Sequence, residues 1–283
     1  MNSIEMHGLT KSYASFTLGP VDLCLPEGTI MGLVGENGAG KSTLISLIMN
    51  SVTRTGGFVS VLGVDSMSAA FGSVKEEIGV VLDESCFPNA LCAAQIGKIL
   101  KCTYKSWNAD VYGALLERFS LPEKKRFGSY SRGMKMKLGI AAALSHEPRL
   151  LILDEATSGL DPMIRDEILD IFSDFTRDER CSVLISSHIV SDLEKICDYI
   201  AFLHRGRLVL CEEKDRLREE YALVQLSGRD ALALPQGCAV STRRGAYGTE
   251  VLARRELLPP SVRAEYTSLE DIILFLARED DAK

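Results

Sequence analysis

The chain has 283 residues, of which 46% are hydrophobic and 25% charged, and its formal net charge is −7. This length allows one large domain, or one domain with a small additional unit. The negative charge gives no support for a nucleic-acid partner, and no apolar run approaches the roughly 20 residues that a membrane span needs.

The first 27 residues favour β-structure and do not show the pattern of a signal peptide. We predict strands over residues 4–9 and 16–25, joined by the polar segment 11–15. The eight cysteines of the chain form no C-x-x-C pair. We therefore expect reduced thiols rather than disulfides or a zinc site.

Residues 35–43 carry the most informative pattern, G-x-x-x-x-G-K-[ST], which is typical of a phosphate-binding loop. An apolar run at 29–34 predicts a buried strand before it, and residues 42–49 predict a helix after it. A strand, a glycine turn and a helix N-terminus together form an anion site. Lys41 is expected at the β- and γ-phosphates and the Ser42 hydroxyl at Mg²⁺. The proposed nucleotide-binding residues here are Gly35, Asn37, Gly38, Ala39, Gly40, Lys41, Ser42 and Thr43.

Strand and helix patterns alternate through the middle of the chain. A turn at Gly56-Gly57 precedes a predicted strand over 58–62, and 78–82 is another strand. Residues 88–147 are predominantly helical by periodicity. An apolar strand over 150–153 follows, then a helix that begins at Asp161-Pro162, a strand over 182–186, a helix through 193–196, and strands over 199–203 and 207–210. This alternation predicts an α/β fold with a mostly parallel sheet.

The segment after residue 221 has a different character. Short strands are predicted over 221–226, 239–242 and 249–253, and a helix over 267–277. Thr267 and Glu270 fit a capping box at the start of that helix. We therefore predict a small α+β unit over residues 222–283.

Asp154 and Glu155 end the apolar strand that starts at residue 150. An acidic residue at the end of a strand near a phosphate loop suits Mg²⁺, which Asp154 would hold through water. Glu155 can then orient or deprotonate the water that attacks the γ-phosphate.

Taken together, these motifs resemble the ATP-binding subunit of ABC transporters, over residues 1 to about 215. The resemblance implies a P-loop NTPase core with an N-terminal antiparallel β part, in a unit spanning 1–221 with a helical insertion over about 88–147. It also implies roles for five further residues. Tyr13 would stack on adenine, Ser131 and Gly133 would form a signature motif, Asp161 would lie in an interface loop, and His188 would contact the γ-phosphate.

The chain departs from the family pattern at two positions. Asp83 stands where the family often has glutamine, and it would contact the nucleotide and its Mg²⁺. Arg132 stands where glycine is common in the signature motif, as in the export-type subfamily.

The resemblance further implies ATP and Mg²⁺ as ligands, and pairing with an identical or different ATP-binding subunit. A separate transmembrane permease would be the partner, with the chain cytoplasmic and peripheral on the inner face of the cell membrane. Export of a peptide, lipid or drug-like substrate is expected, and no nucleic-acid partner. The alternative is a soluble ATPase of this superfamily that acts on ribosomes or DNA. Apolar groups near the expected permease contact are Cys86, Phe87, Pro88, Leu91 and Trp107.

Overall fold

The computed structural model describes residues 1–82, 87–245, 248–264 and 266–282. In these segments the strands are β1 (Asn2–Ser12), β2 (Thr17–Pro26), β3 (Ile30–Val34), β4 (Gly56–Val61), β5 (Val64–Asp65), β6 (Ile78–Val81), β7 (Leu150–Asp154), β8 (Ser182–Ser187), β9 (Tyr199–His204), β10 (Arg207–Glu213), β11 (Tyr221–Leu226), β12 (Ala239–Gly245) and β13 (Gly248–Arg254). The α-helices are α1 (Lys41–Ile48), α2 (Phe71–Val74), α3 (Ala93–Thr103), α4 (Ala109–Arg118), α5 (Arg132–Leu144), α6 (Pro162–Phe175), α7 (Val190–Ile196), α8 (Lys214–Glu220), α9 (Gly228–Leu232) and α10 (Leu269–Ala282).

The central sheet has the strand order β10-β9-β3-β8-β7-β6. All its neighbouring strands pair in parallel except β10, which pairs antiparallel with β9. Every residue of β3, β7 and β8 is buried. One face of these strands shares a core with β1, β2, β4 and α1, and the other shares a core with α5, α6, α7 and α10. The predicted α/β fold with a mostly parallel sheet is confirmed.

The N-terminal part forms a second, antiparallel sheet in the order β2-β1-β4-β5, which confirms the antiparallel β part. The predicted turn at Gly56-Gly57 is wrong, because both residues begin β4. A Cβ on Gly57 would lie 2.2 Å from the carbonyl oxygen of Gly8. The glycine is therefore needed for the close approach of β1 to β4 rather than for a turn.

The carboxyl ends of the central strands meet at one edge of the sheet. Val34, the last residue of β3, pairs with Ser187 of β8. Asp154, the last residue of β7, pairs with Ser186 of the same strand. The segments that follow these three strands are therefore neighbours, and this edge is where open α/β sheets bind ligands.

Helices α3, α4 and α5 occupy much of the segment that the sequence predicts as a helical insertion. Helix α5 buries its central residues against β6 and the neighbouring helices. No helix in the described segments is long and apolar enough to cross a membrane.

The C-terminal segment forms a three-stranded sheet, β11-β13-β12, and the helix α10. Helix α10 packs on β12 but also on α7, α8, β9 and β10. Its buried apolar residues belong to the same core as the central sheet, and they are Leu269, Ile272, Ile273, Phe275 and Leu276. The domain boundary near residue 221 stays a prediction.

The predicted capping box of this last helix is wrong. Ser268 Oγ accepts a hydrogen bond from the Asp271 backbone N–H at 3.1 Å and donates to Asp271 Oδ2 at 2.5 Å. Thr267 is instead buried, and its Oγ1 accepts from the Leu223 backbone N–H. The threonine therefore accepts a hydrogen bond from a backbone N–H of the edge strand β11, and the helix cap lies one residue further along the chain, at Ser268.

Candidate functional site

The phosphate loop connects the end of β3 to α1 through positions that only glycine fits. Gly38 and Gly40 have φ of 84° and 111°, a region that side chains with a Cβ avoid. A Cβ on Gly40 would lie 3.1 Å from Phe16 Cζ, and one on Gly35 would lie 2.5 Å from the Leu203 carbonyl oxygen. The loop is therefore packed tightly against β9 and the connection between β1 and β2. It leads into the start of α1, where backbone N–H groups lack partners within the helix.

An open cavity of about 340 Å³ lies at this loop. Both the loop and the ends of neighbouring elements contribute to its walls. The lining residues are Phe16, Glu36, Asn37, Gly38, Gly40, Lys41, Ser42, Thr43, Asp154 and Glu155. Gly35 and Ala39 support the loop from behind. Gly35 offers its carbonyl oxygen to Lys41, and Ala39 is buried and accepts from the Gly206 backbone N–H.

Lys41 is buried, and its ammonium group is held by acceptors on both sides of the cavity. Its Nζ donates to the Gly35 carbonyl oxygen at 2.6 Å and to the Glu36 carbonyl oxygen at 3.4 Å. It also forms an ion pair with Glu155 Oε1 at 3.3 Å. A phosphate entering the cavity would therefore compete with Glu155 for this charge.

Asp154 and Glu155 are positioned by the neighbouring strand β8. Ser186 Oγ donates to Asp154 Oδ1 at 2.5 Å. The Glu155 backbone N–H lies 3.1 Å from both Ser186 Oγ and the Ser186 carbonyl oxygen. Glu155 itself has a φ of 53°, an uncommon conformation for a residue with a side chain. This turn at the strand end directs the carboxylate towards the cavity instead of along the strand.

His188 is exposed and joins the same group of side chains. Its Nδ1 lies 2.6 Å from Glu155 Oε2. Because Glu155 also contacts Lys41, the three residues form a continuous chain of contacts across the cavity. The sequence-predicted acidic pair, lysine and histidine are therefore brought together by the fold.

The oxygen groups in the cavity suit a hard cation. The Ser42 hydroxyl, on an exposed residue, and the Asp154 carboxylate both line it, and Mg²⁺ prefers such oxygen ligands while keeping several waters. Within the described residues, no group of three or more His, Cys, Asp or Glu side chains could hold a metal by itself. Phosphate and water oxygens would have to complete the coordination.

Ser131, Gly133 and Asp161 lie at a different place, at the starts of α5 and α6. Ser131 caps α5 by accepting from the Met134 backbone N–H, and Asp161 caps α6 by accepting from the Ile164 backbone N–H. Both caps are exposed and do not line the cavity. The predicted helix start at Asp161-Pro162 is confirmed.

The aromatic group at the cavity is Phe16 rather than Tyr13. Phe16 lines the cavity beside Gly40. Tyr13 is 45% exposed, and its ring lies 5.2 Å from Lys11 Nζ. The Tyr13 backbone N–H donates to the Phe16 carbonyl oxygen at 2.8 Å, so both aromatics belong to one turn. The adenine contact of Tyr13 stays a prediction.

Two groups of predicted residues cannot be assigned to this site. Asp83 and Cys86 lie outside the described residues. Phe87 packs edge-on against Phe127, and Trp107 packs against Tyr112. The predicted permease contact through Phe87 and Trp107 is therefore not distinguished from packing inside the helical segment.

Sequence reasoning missed Phe16 and Ser186. The sequence predicts Phe16 at the start of a strand, but the structure places it beside Tyr13 in the connection between β1 and β2. Ser186 lies near the end of β8, two residues before His188, but its contact with Asp154 depends on the register between β7 and β8. Only the paired sheet reveals that contact.

Comparison with known proteins gives consistent matches. The family described as "ABC transporter" matches residues 18–158. The bacitracin transport ATP-binding protein BcrA of Enterococcus faecalis is 36% identical over 209 residues, which are 73% of this chain and 68% of that protein. The lantibiotic transport ATP-binding protein SrtF of Streptococcus pyogenes is 34% identical over 215 residues, which are 75% of this chain and 91% of that protein.

A solved structure described as the ATP-binding subunit of an ABC transporter has the same fold. It superposes with a TM-score of 0.66 at 27% identity and covers 76% of this chain and 91% of that one.

Proposed function

The chain belongs to the ABC transporter family as one of its ATP-binding, ATP-hydrolysing subunits, and from that premise we propose how its site works and what it drives. Two such subunits, identical or different, enclose ATP between the phosphate loop of one and the start of α5 of the other. The pair powers a separate membrane subunit.

The observation that carries the proposal is the chain of contacts Lys41–Glu155–His188 along the cavity wall. In the proposed mechanism the β- and γ-phosphates take the place of Glu155 at Lys41. Glu155 is then free to accept a proton from the attacking water, while His188 holds the carboxylate in position. The buried setting of Lys41 and Glu155 strengthens their charge interactions relative to those in bulk water.

Ser42 and Asp154 would hold Mg²⁺, with Asp83 as a further predicted ligand. The bound ion supplies positive charge to the phosphate oxygens during transfer. Ser186 keeps Asp154 oriented through its 2.5 Å hydrogen bond, as positioning partners do at metal sites.

Pairing is supported by the separation of the two groups of predicted residues. Lys41 and Glu155 line the cavity, whereas Ser131 caps an exposed helix start elsewhere on the chain. An exposed helix N-terminus with a serine is suited to bind an anion. A second copy would bring this helix to the phosphates of the first, with Gly133 leaving room and Asp161 in the loop between the two.

The transported compound is proposed to be a peptide antibiotic or a compound of similar chemistry, and transport to be export. This choice rests on two relatives that are named for bacitracin and lantibiotic transport. The chain would then work in the cytoplasm, against the inner face of the cell membrane and bound to its permease.

Measurement of ATP affinity and phosphate release in the Lys41→Ala variant tests the proposal. Loss of the charged hydrogen bonds should weaken ATP binding by about 1.5–3 kcal/mol, or about 10- to 150-fold in Kd. The matched control is Lys105→Ala, at a lysine with an 87% exposed side chain, which should leave both quantities unchanged. Equal ATP affinity in the wild type and Lys41→Ala would contradict the proposed site.

A further inference from the structure

We infer that Arg165, near the start of α6, is a positioning residue that links the 158–161 loop to the helix behind His188. Its Nη2 donates to the Leu160 carbonyl oxygen at 3.3 Å. Its Nη1 lies 3.6 Å from Asp192 Oδ1. The inference rests on the proposed function, in which Asp161 lies in the loop between the two copies and His188 holds the Glu155 carboxylate in position.

The Asp192 carboxylate is buried, so it needs a positively charged partner, and Arg165 provides one. The Asp192 side chain is 3% exposed and that of Arg165 is 24% exposed. A buried carboxylate without a partner is costly. Asp192 lies in the first turn of α7, which starts two residues after His188. The arginine therefore fixes the loop and the histidine segment to each other.

The pair is only partly engaged in this structure. Charge-assisted pairs of arginine with a carboxylate are usually shorter, at about 2.7–2.9 Å, and often two-pronged. Among the described residues, neither Arg165 Nε nor Asp192 Oδ2 has a hydrogen-bond partner, although both atoms are buried. A shift of about 1 Å would allow a closer, two-pronged contact. The pair can therefore adopt a loose and a tight arrangement.

The other side of the same loop contacts the start of α5. The Arg132 guanidinium lies against Gly159, where a Cβ would be 2.7 Å from Nη1. A Cβ on Gly133 would lie 3.6 Å from Leu160 Cδ2. The 158–161 loop is thus held between two helices. One is α5, whose start is proposed to bind the partner's phosphates, and the other is α7, which the loop reaches through Arg165.

This arrangement gives the two sites of a pair a route for communication. When phosphate displaces Glu155 from Lys41, a movement of His188 with that carboxylate would shift α7 and Asp192. Arg165 would transmit that shift to the loop that faces the other site. Arg165 is proposed to contact neither the nucleotide nor the attacking water. It acts by positioning Leu160 and Asp161.

The variant Arg165→Lys separates positioning from folding. Lysine keeps a positive charge for Asp192, but it lacks the planar guanidinium whose two Nη atoms reach the carboxylate and the Leu160 carbonyl oxygen in fixed directions. The expected result is an unchanged melting temperature, an ATP Kd within about twofold of the wild type, a kcat lowered about tenfold, and a Hill coefficient for ATP that falls towards one. Asp192→Asn should have the same effects on kcat and cooperativity, and the double variant should be no worse than either single variant.

Lys195→Ala is the matched control. Lys195 also joins α7 to α6, through a 2.7 Å contact with Asp166, but both side chains are exposed. This variant should retain wild-type kcat and cooperativity. A second measurement is ATP-dependent pairing in a Glu155→Gln background, which Arg165→Lys should weaken about tenfold.

The possible outcomes distinguish a failure of the proposed function from a failure of the proposed role of Arg165. If the wild type and Glu155→Gln neither bind ATP nor pair, the proposed function fails. If they do both and Arg165→Lys has wild-type kcat, cooperativity and pairing, only the role of Arg165 is overturned. Loss of ATP affinity and melting temperature in parallel with kcat would also overturn it, since that pattern indicates a purely structural contact.

Discussion

Neutralising Glu155 should produce opposite effects on ATP binding and on turnover. Glu155 Oε1 lies 3.3 Å from Lys41 Nζ, and the side chain of Glu155 is 14% exposed and that of Lys41 is 7% exposed. Bound phosphate must displace this carboxylate from Lys41, and the negative charges of phosphate and carboxylate then repel each other, which weakens ATP binding. Glu155→Gln keeps the size and shape of the side chain but removes the charge.

The magnitude follows from the burial of this ion pair. Exposed pairs contribute about 0.2–1 kcal/mol and breaking fully buried ones costs about 3–5 kcal/mol, so a mostly buried pair is worth about 1–3 kcal/mol. Removing the competition should therefore lower the Kd for ATP by about 5- to 150-fold. Loss of a general base should lower kcat by about 10²- to 10⁴-fold.

Equilibrium binding of labelled ATP gives the Kd, and single-turnover phosphate release gives the rate of the chemical step. The matched control is Glu219→Gln, the same change on an exposed residue of α8, which should alter neither quantity. If Glu155→Gln bound ATP with wild-type affinity and hydrolysed it within twofold of the wild-type rate, the reasoning about this carboxylate would be refuted.

Two further predictions concern the aromatic residues at the cavity and the pH dependence of stability. Tyr13→Ala should raise the ATP Kd about 2- to 10-fold through loss of stacking without lowering the melting temperature, because the ring is 45% exposed; Phe16→Ala should also lower the melting temperature, because Phe16 packs beside Gly40. His146 is buried and its Nδ1 lies 2.9 Å from the Glu76 carbonyl oxygen, and burial lowers the pKa of His146 below its ordinary value of 6.5. The unfolded chain therefore takes up the proton first, and the free energy of unfolding measured by urea titration should decrease as the pH falls below about 6.5, less steeply in His146→Gln.

Clear results would contradict either prediction. An unchanged Kd in Tyr13→Ala together with a raised Kd in Phe16→Ala would assign the base contact to Phe16 alone. Identical pH dependence of the free energy of unfolding in the wild type and His146→Gln would remove His146 as a source of acid sensitivity.

The features that were predictable from the sequence are those that local chemistry determines. The glycines of the phosphate loop, the apolar run before Asp154 and the Asp161-Pro162 helix start are each coded within a few residues. Their order along the chain was enough to indicate an α/β sheet and a family resemblance. The family and the fold class are confirmed by the comparisons.

The features that were not predictable depend on residues far apart in the chain. Thr267 matches a helix cap locally, but it is used by the Leu223 backbone N–H 44 positions away. Ser186 reaches Asp154 only because β7 and β8 pair in one register. Helix α10 shows an apolar face in the sequence, yet which surface it covers depends on the assembled core.

The most direct test of the central claim is complementation between two inactive variants. Lys41→Ala disables the phosphate loop. Ser131→Asp keeps a good helix cap but places a negative charge where the partner's phosphate is proposed to bind. Ser131→Asn, which also caps a helix well but is neutral, is the control. If each site is built from two copies, an equal mixture of Lys41→Ala and Ser131→Asp should regain up to about a quarter of the wild-type ATPase rate, because half of the pairs are mixed and each mixed pair has one intact site. A mixture that stays as inactive as its two components, although both variants are folded and pair, would contradict the account.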